Sequence, residues 1–130
     1  MTKEYLILKH CLRPGRPPDG TDFLLNENLN WDFILKRAIE NGVSPLLYYN
    51  LSPFKEKIPS KVLAELKNSF EKTKSRNLEL LKEIGKILAA FNKNNIKAIP
   101  LKGIDLAYGY YPDIGLRPTT DVDLLIKKQD

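Results

Sequence analysis

Two aspartates near the end of the chain, Asp121 and Asp123, have the type and spacing to do chemistry. They open the segment "DVDLLI" (121–126), the clearest strand pattern in the chain. On a β-strand, residues i and i+2 point to the same side, roughly 6.5–7 Å apart along the chain. The strand would therefore present both carboxylates together, with Val122 and Leu124-Leu125-Ile126 anchoring it. Paired carboxylates repel one another unless a cation offsets their charge. Hard cations such as Mg²⁺ take oxygen ligands, often one or two carboxylates with substrate phosphates filling the rest. The two-aspartate pattern is short, and taken alone it also describes an ordinary exposed strand start.

Two further features have the chemistry of phosphate contacts. Lys102-Gly103 follows the apolar segment "IKAIPL" (96–101). A glycine there lets backbone N–H groups approach a phosphate closely, and the lysine adds a point charge. Arg117 lies in the loop just before the aspartates and is a third candidate. Each alone also fits a plain strand-to-helix turn or a lone surface arginine.

The elements that must position these groups read as follows. A short helix over 3–12 ends at Arg13-Pro14-Gly15, and 13–22, with three prolines and two glycines, reads as a loop or hinge. Asn30 has the chemistry of an N-cap for a helix closed by Gly42. Ser44-Pro45 caps and starts a third helix that Ser52-Pro53 should stop. From Ser60, Leu63, Leu66, Phe70, Leu80, Leu81, Ile84, Ile87, Leu88 and Phe91 recur at the helical period. Thr73, Lys74 and Asn77 interrupt that apolar stripe, so one kinked helix and two helices are both compatible with it. Residues 92–95 form a cap region before a strand at 96–101, a helix at 104–111, a loop at 112–120 and a strand at 121–126. The expected fold class is α+β: a mostly helical region over 1–95, then a strand-turn-helix-loop-strand core over 96–130, forming one compact domain.

Taken together, the order strand, Lys-Gly turn, helix, loop with Arg, strand with paired aspartates resembles the start of the DNA polymerase β-type nucleotidyltransferase fold. More narrowly, 99–126, "IPLKGIDLAYGYYPDIGLRPTTDVDLLI", is similar to an uncharacterised bacterial nucleotidyltransferase family typed by LKG, then R, then D-[IV]-DLL. Trp31, "AIENGVSPLLYYNL" (38–51) and the long helix extend the resemblance upstream. It implies a mixed sheet, Asp121 and Asp123 as catalytic Mg²⁺ ligands of two-metal type, and Lys102, Gly103 and Arg117 as nucleotide phosphate contacts. The implied reaction moves a nucleoside monophosphate from NTP to an acceptor hydroxyl on RNA, protein or a small molecule. Such catalysis is mainly positioning and charge neutralisation.

The chain departs from that pattern in three places. Ile104 stands where a second glycine or a serine is usual, and the interval from Gly103 to Asp121 is long. A third carboxylate on a later strand, commonly the general base, has no counterpart: Asp105 and Asp113 lie upstream, and Asp130 is too near Asp123. The resemblance thus implies an N-terminal part of a longer protein or a shortened relative. It also implies a chain inactive alone, its site completed by a further segment or a second polypeptide.

Composition narrows the alternatives. The chain has 130 residues, 42% hydrophobic and 28% charged, which excludes collagen-like and bulk-disordered classes. Its longest apolar runs are a few residues, too short to span a bilayer, and its start lacks a signal-peptide layout. A cytoplasmic location is expected. Cys11, the single cysteine, reads as a buried thiol, and His10 as a surface or packing residue. Net charge is +5, concentrated in residues 55–102, which hold twelve basic and five acidic side chains. That basic stretch motivates the alternative of a non-enzymatic helical nucleic-acid-binding or protein-interaction module. Against nucleic acid, its cations are lysines apart from Arg76, and aromatics do not alternate with them. Tyr108, Tyr110 and Tyr111 read as packing under the loop in preference to walls of a nucleotide site.

Overall fold

The computed structural model describes residues 1–15 and 17–129. The elements run α1 (Lys3–Cys11), α2 (Thr21–Leu24), α3 (Trp31–Glu40), α4 (Ser44–Leu51), α5 (Ser60–Lys93), β1 (Ala98–Leu101), α6 (Gly103–Gly109) and β2 (Asp123–Ile126). Two 3₁₀ turns, Ser52–Lys57 and Ile114–Leu116, fall between them. The architecture is α+β, mostly helical, with one two-stranded antiparallel sheet near the end of the chain. The expected mixed sheet is represented, among the described residues, by that antiparallel pair alone. Arg16, inside the expected loop, and Asp130, weighed above as a third carboxylate, lie outside the described residues.

Local chemistry accounts for most helix ends. The Asn30 side chain accepts from Phe33 N at 3.0 Å, and Gly42 follows α3 at φ +66, a left-handed conformation that glycine adopts without strain. Thr21–Leu24 forms a short helix at the end of what the prolines and glycines marked as loop. Ser44 is not the side-chain cap of α4: the helix begins at it, and its hydroxyl meets Ser69 Oγ at 2.7 Å, tying α4 to α5. Ser52-Pro53 ends α4 as expected, and the chain goes on from it into the 3₁₀ turn, where proline is tolerated in the first turn. Asn95 takes φ 59, and Ile96 N donates to Phe91 O at 2.8 Å, closing α5 in the left-handed way that asparagine tolerates.

The 34 residues of α5 form one continuous helix, about 50 Å long at the usual rise. Its first half contributes Val62 and Leu66 to a core with Ile7, Leu8, Cys11, Ile34, Leu35, Ala38, Leu47 and Leu51. Its second half carries buried Ile84, which lines a cavity with Ile104 of α6, and α6 also buries Ala107. Asn77 sits between the two and is completely buried. The polar interruption of the stripe is thus neither a kink nor a helix end. It is the place where the loop before β2 docks.

That loop lies flat along α5. A Cβ on Gly115 would come within 2.8 Å of Phe70 Cε2 and 2.9 Å of Lys74 Cβ, so only glycine lets the backbone approach so closely. Asp113 Oδ1 accepts from Gly115 N at 2.8 Å, and its other oxygen meets Lys74 Nζ at 3.2 Å. The Asn77 amide donates to Ile114 O at 2.7 Å and to Arg117 O at 2.8 Å. Arg76 then donates to Thr119 O and Thr120 O.

The strands are shorter than expected. Their register pairs Ala98 with Ile126, Ile99 with Leu125, Pro100 with Leu124 and Leu101 with Asp123. Directly paired residues share a face. Pro100 lines a cavity of about 220 Å³ with Ile84 and Leu88 of α5, and the opposite face leaves Ile99 and Leu125 more than half exposed.

Candidate functional site

The end of the β1–β2 ladder brings the predicted phosphate turn to the predicted metal strand. Leu101, the last residue of β1, pairs with Asp123, the first of β2. The next residue, Lys102, therefore reaches across the strand end, and its Nζ lies 3.7 Å from Asp123 Oδ2. Both side chains are more than half exposed, so this ion pair adds little to stability, on the order of 0–1 kcal/mol. Its interest is positional, since it sets a mobile cation beside a carboxylate at the open end of the sheet.

Asp121 is exposed and lies two residues before the ladder begins. The expectation that both aspartates stand on one regular strand is corrected to that extent: the ladder holds Asp123 and leaves Asp121 in the segment leading into it. Loop residues up to Thr120 are bonded to α5, which leaves Asp121 and Val122 as the span between loop anchor and strand. Exposed carboxylate oxygens are hard donors, and two of them leave the remaining positions of a divalent ion to water and phosphate oxygens. The donor set thus suits Mg²⁺. No group of three or more His, Cys, Asp or Glu suited to hold a metal occurs among the described residues.

The turn carries one positive-φ residue. Its left-handed backbone belongs to Lys102, at φ 58 and ψ −133, and not to Gly103. A non-glycine residue in that region carries strain of order 1–3 kcal/mol and persists only where its surroundings determine it. Gly103 is required for a different reason. A Cβ there would meet Thr119 Cγ2 at 2.9 Å and Oγ1 at 3.3 Å, and Thr119 is buried and β-branched, so it cannot swing aside.

Arg117 stands elsewhere in the loop. It lines a cavity of about 300 Å³ with Asn41, Gly42 and Val43 of the α3–α4 turn and with Tyr111. Its Nε is buried without a hydrogen-bond partner, and so is Asn77 Oδ1. Tyr108 and Tyr110 are 72% and 69% exposed, which corrects their reading as packing under the loop; Tyr111 alone is half-buried, in an edge contact with Tyr110. Cys11 is fully buried as expected, and burial pushes its thiol up to about 12. His10 is half-buried with Nδ1 unpartnered. No helix among the described residues is long and apolar enough to cross a membrane.

Reading by type and spacing missed Arg76, Asn77 and Thr119, which carry the loop that delivers the aspartates. The available signal was the polar gap in the α5 stripe. It marks a polar residue on the buried stripe of a helix, whose side-chain amide calls for a backbone partner from elsewhere.

A family model described as an uncharacterised nucleotidyltransferase matches residues 27–130. No curated protein and no solved structure matches the chain. The match takes in α3 through β2, with the long helix, the Lys-Gly turn and both aspartates inside it, and the chain belongs to this uncharacterised nucleotidyltransferase family.

Proposed function

We propose that the chain provides the metal- and triphosphate-binding groups for Mg²⁺-dependent transfer of a nucleoside monophosphate from NTP to an acceptor hydroxyl, with the α–β phosphate bond broken and pyrophosphate released, within the DNA polymerase β-type superfamily. The observation that carries this reading is the juxtaposition of Lys102 Nζ and Asp123 Oδ2, 3.7 Å apart at the open end of the ladder. Asp121 and Asp123 would hold Mg²⁺, which when bound neutralises phosphate charge and orients the triphosphate. Lys102 adds a compact, rotatable charge that can leave Asp123 for a phosphate oxygen at small cost, because the exposed pair contributes little. Gly103 holds the turn against Thr119 beside this pair, and Arg117, which lines the cavity next to the α3–α4 turn, stands apart from it as a further phosphate-directed group that the resemblance alone proposes. In this chemistry the protein positions and neutralises; it forms no covalent bond to substrate.

Titration of the purified chain with a fluorescent ATP analogue tests the reading. Binding should require Mg²⁺, disappear in Asp121→Asn and Asp123→Asn, and weaken roughly tenfold in Lys102→Ala, the loss of one charge-assisted contact. Metal-independent binding unchanged by Asp123→Asn would refute it. Tight, steeply salt-dependent binding of RNA or duplex DNA by that same variant would favour a nucleic-acid module instead.

A further inference from the structure

Thr119 touches both halves of the candidate site. Its side chain packs against Gly103 so closely that a Cβ on the glycine would sit 2.9 Å from its methyl. Its main chain leads within two residues to Asp121. Thr119 is 6% exposed, and its carbonyl accepts from Arg76 Nε at 3.1 Å. The same guanidinium donates through Nη2 to Thr120 O at 3.3 Å. These two carbonyls belong to no helix or sheet ladder, so a donor from outside is what satisfies them within the protein. Arg76 itself stands on α5, whose first half is embedded in the main core.

We infer that Arg76 is a positioning residue that acts through Thr119, holding the Lys102-Gly103 turn and the acidic strand in a fixed relation to each other and to α5. This rests on the proposed reading of Asp121, Asp123 and Lys102 as the metal and triphosphate groups. The side-chain type fits the role. A guanidinium is a rigid planar fork that reaches two successive carbonyls at once, and a lysine ammonium is a single point donor on a flexible stem. The strained backbone of Lys102 fits as well. A turn in a sparsely populated conformation needs surroundings that determine it, and the close approach of Thr119 to the adjoining glycine provides them. One residue on a rigid helix thereby sets the separation of two groups that must meet the same triphosphate.

Hydrogen exchange and nucleotide binding, measured on the full chain, test this together. Arg76→Ala should speed amide exchange about tenfold in residues 101–104 and 121–124 at once, with α3 and α4 unchanged. Its Mg²⁺-dependent affinity for the fluorescent ATP analogue should fall by a similar factor, and Arg76→Lys should recover only part of both effects. Thr119→Ser keeps the carbonyl and removes the methyl, so it should loosen 101–104 and leave 121–124 protected. Exchange that rises in only one of the two segments in Arg76→Ala would overturn the inference. So would a rise spread evenly through α3 and α4, or complete recovery by Arg76→Lys. Absence of Mg²⁺-dependent nucleotide binding by the unmodified chain would sink the proposed function, and the exchange result would still decide the positioning role.

Discussion

Replacing Asn77 with alanine should weaken the protein as much as a core truncation does, although the residue is polar and sits in the middle of a helix. Its amide is the donor for two carbonyls, Ile114 O at 2.7 Å and Arg117 O at 2.8 Å, and it has no exposed surface. A buried carbonyl left without a donor costs about 1–3 kcal/mol. Two such losses set an upper range, and two terms reduce it: water can reach the part-buried carbonyls, and the variant also removes Asn77 Oδ1, itself buried and unpartnered. A net loss of about 2–4 kcal/mol follows, against a total stability of about 5–15 kcal/mol for a domain of ordinary size. At roughly 3–5 °C per kcal/mol for a chain of this length, the thermal midpoint should drop by about 6–20 °C. Calorimetry or circular dichroism reads it directly. Asn77→Asp separates hydrogen bonding from packing, because the shape is kept and the donor is lost. At neutral pH the substituted carboxylate faces two carbonyl oxygens and should be worse than alanine. Burial and the carbonyls raise its folded-state pKa, so its extra cost is absent at low pH and grows as pH rises through the carboxylate range. A midpoint for Asn77→Ala within about 2 °C of the parent, or an Asn77→Asp variant insensitive to pH, would refute the role of Asn77 in docking the loop.

Lys102→Gly should separate stability from function: relief of the φ 58 backbone raises stability by about 0.5–1 kcal/mol in urea titration, and loss of the ammonium weakens Mg²⁺-nucleotide binding. A variant less stable than the parent would show that the turn is not strained. Burial pushes the Cys11 thiol from 9.0 up to about 12, so the folded state favours the protonated form. Its contribution is complete below pH 9 and is lost as pH rises toward about 12, giving a decline in the urea midpoint that Cys11→Ala should flatten. Equal alkaline slopes in the two proteins would exclude Cys11 as the source.

Periodicity and end signals make the helices legible in the sequence: Asn30 as a cap, Gly42 and the 92–95 asparagines as stops, and the apolar stripe of α5 each correspond to an observed contact. The site is legible in its types and order, because Lys-Gly after a strand and paired aspartates at the next strand carry their chemistry with them. What escapes is whatever depends on residues distant in sequence meeting. Ser44 and Ser69 pair side chain to side chain, and no local rule could divert Ser44 from capping its own helix. Gly103 invites an explanation in terms of backbone freedom, yet the left-handed residue is its neighbour, and Thr119, sixteen positions away, is what a side chain at Gly103 would strike.

Asn77 states the physical reason most directly. A polar residue on the apolar stripe of a helix satisfies its hydrogen bonds in one of three ways: water at a kink, a helix end, or a main chain brought in from outside. Local propensity can rank the first two and is blind to the third. The tight glycine at 115 and the carbonyls of Ile114 and Arg117 together make the third the stable choice. Arg76, the lone arginine among the lysines of the basic stretch, belongs to the same event, one residue earlier on the helix and one anchor later in the loop. An interrupted stripe followed by a Gly- and Pro-containing loop is therefore a signal that the loop docks on the interruption. It locates, from sequence, the segment that must be held still for the aspartates beyond it to act together.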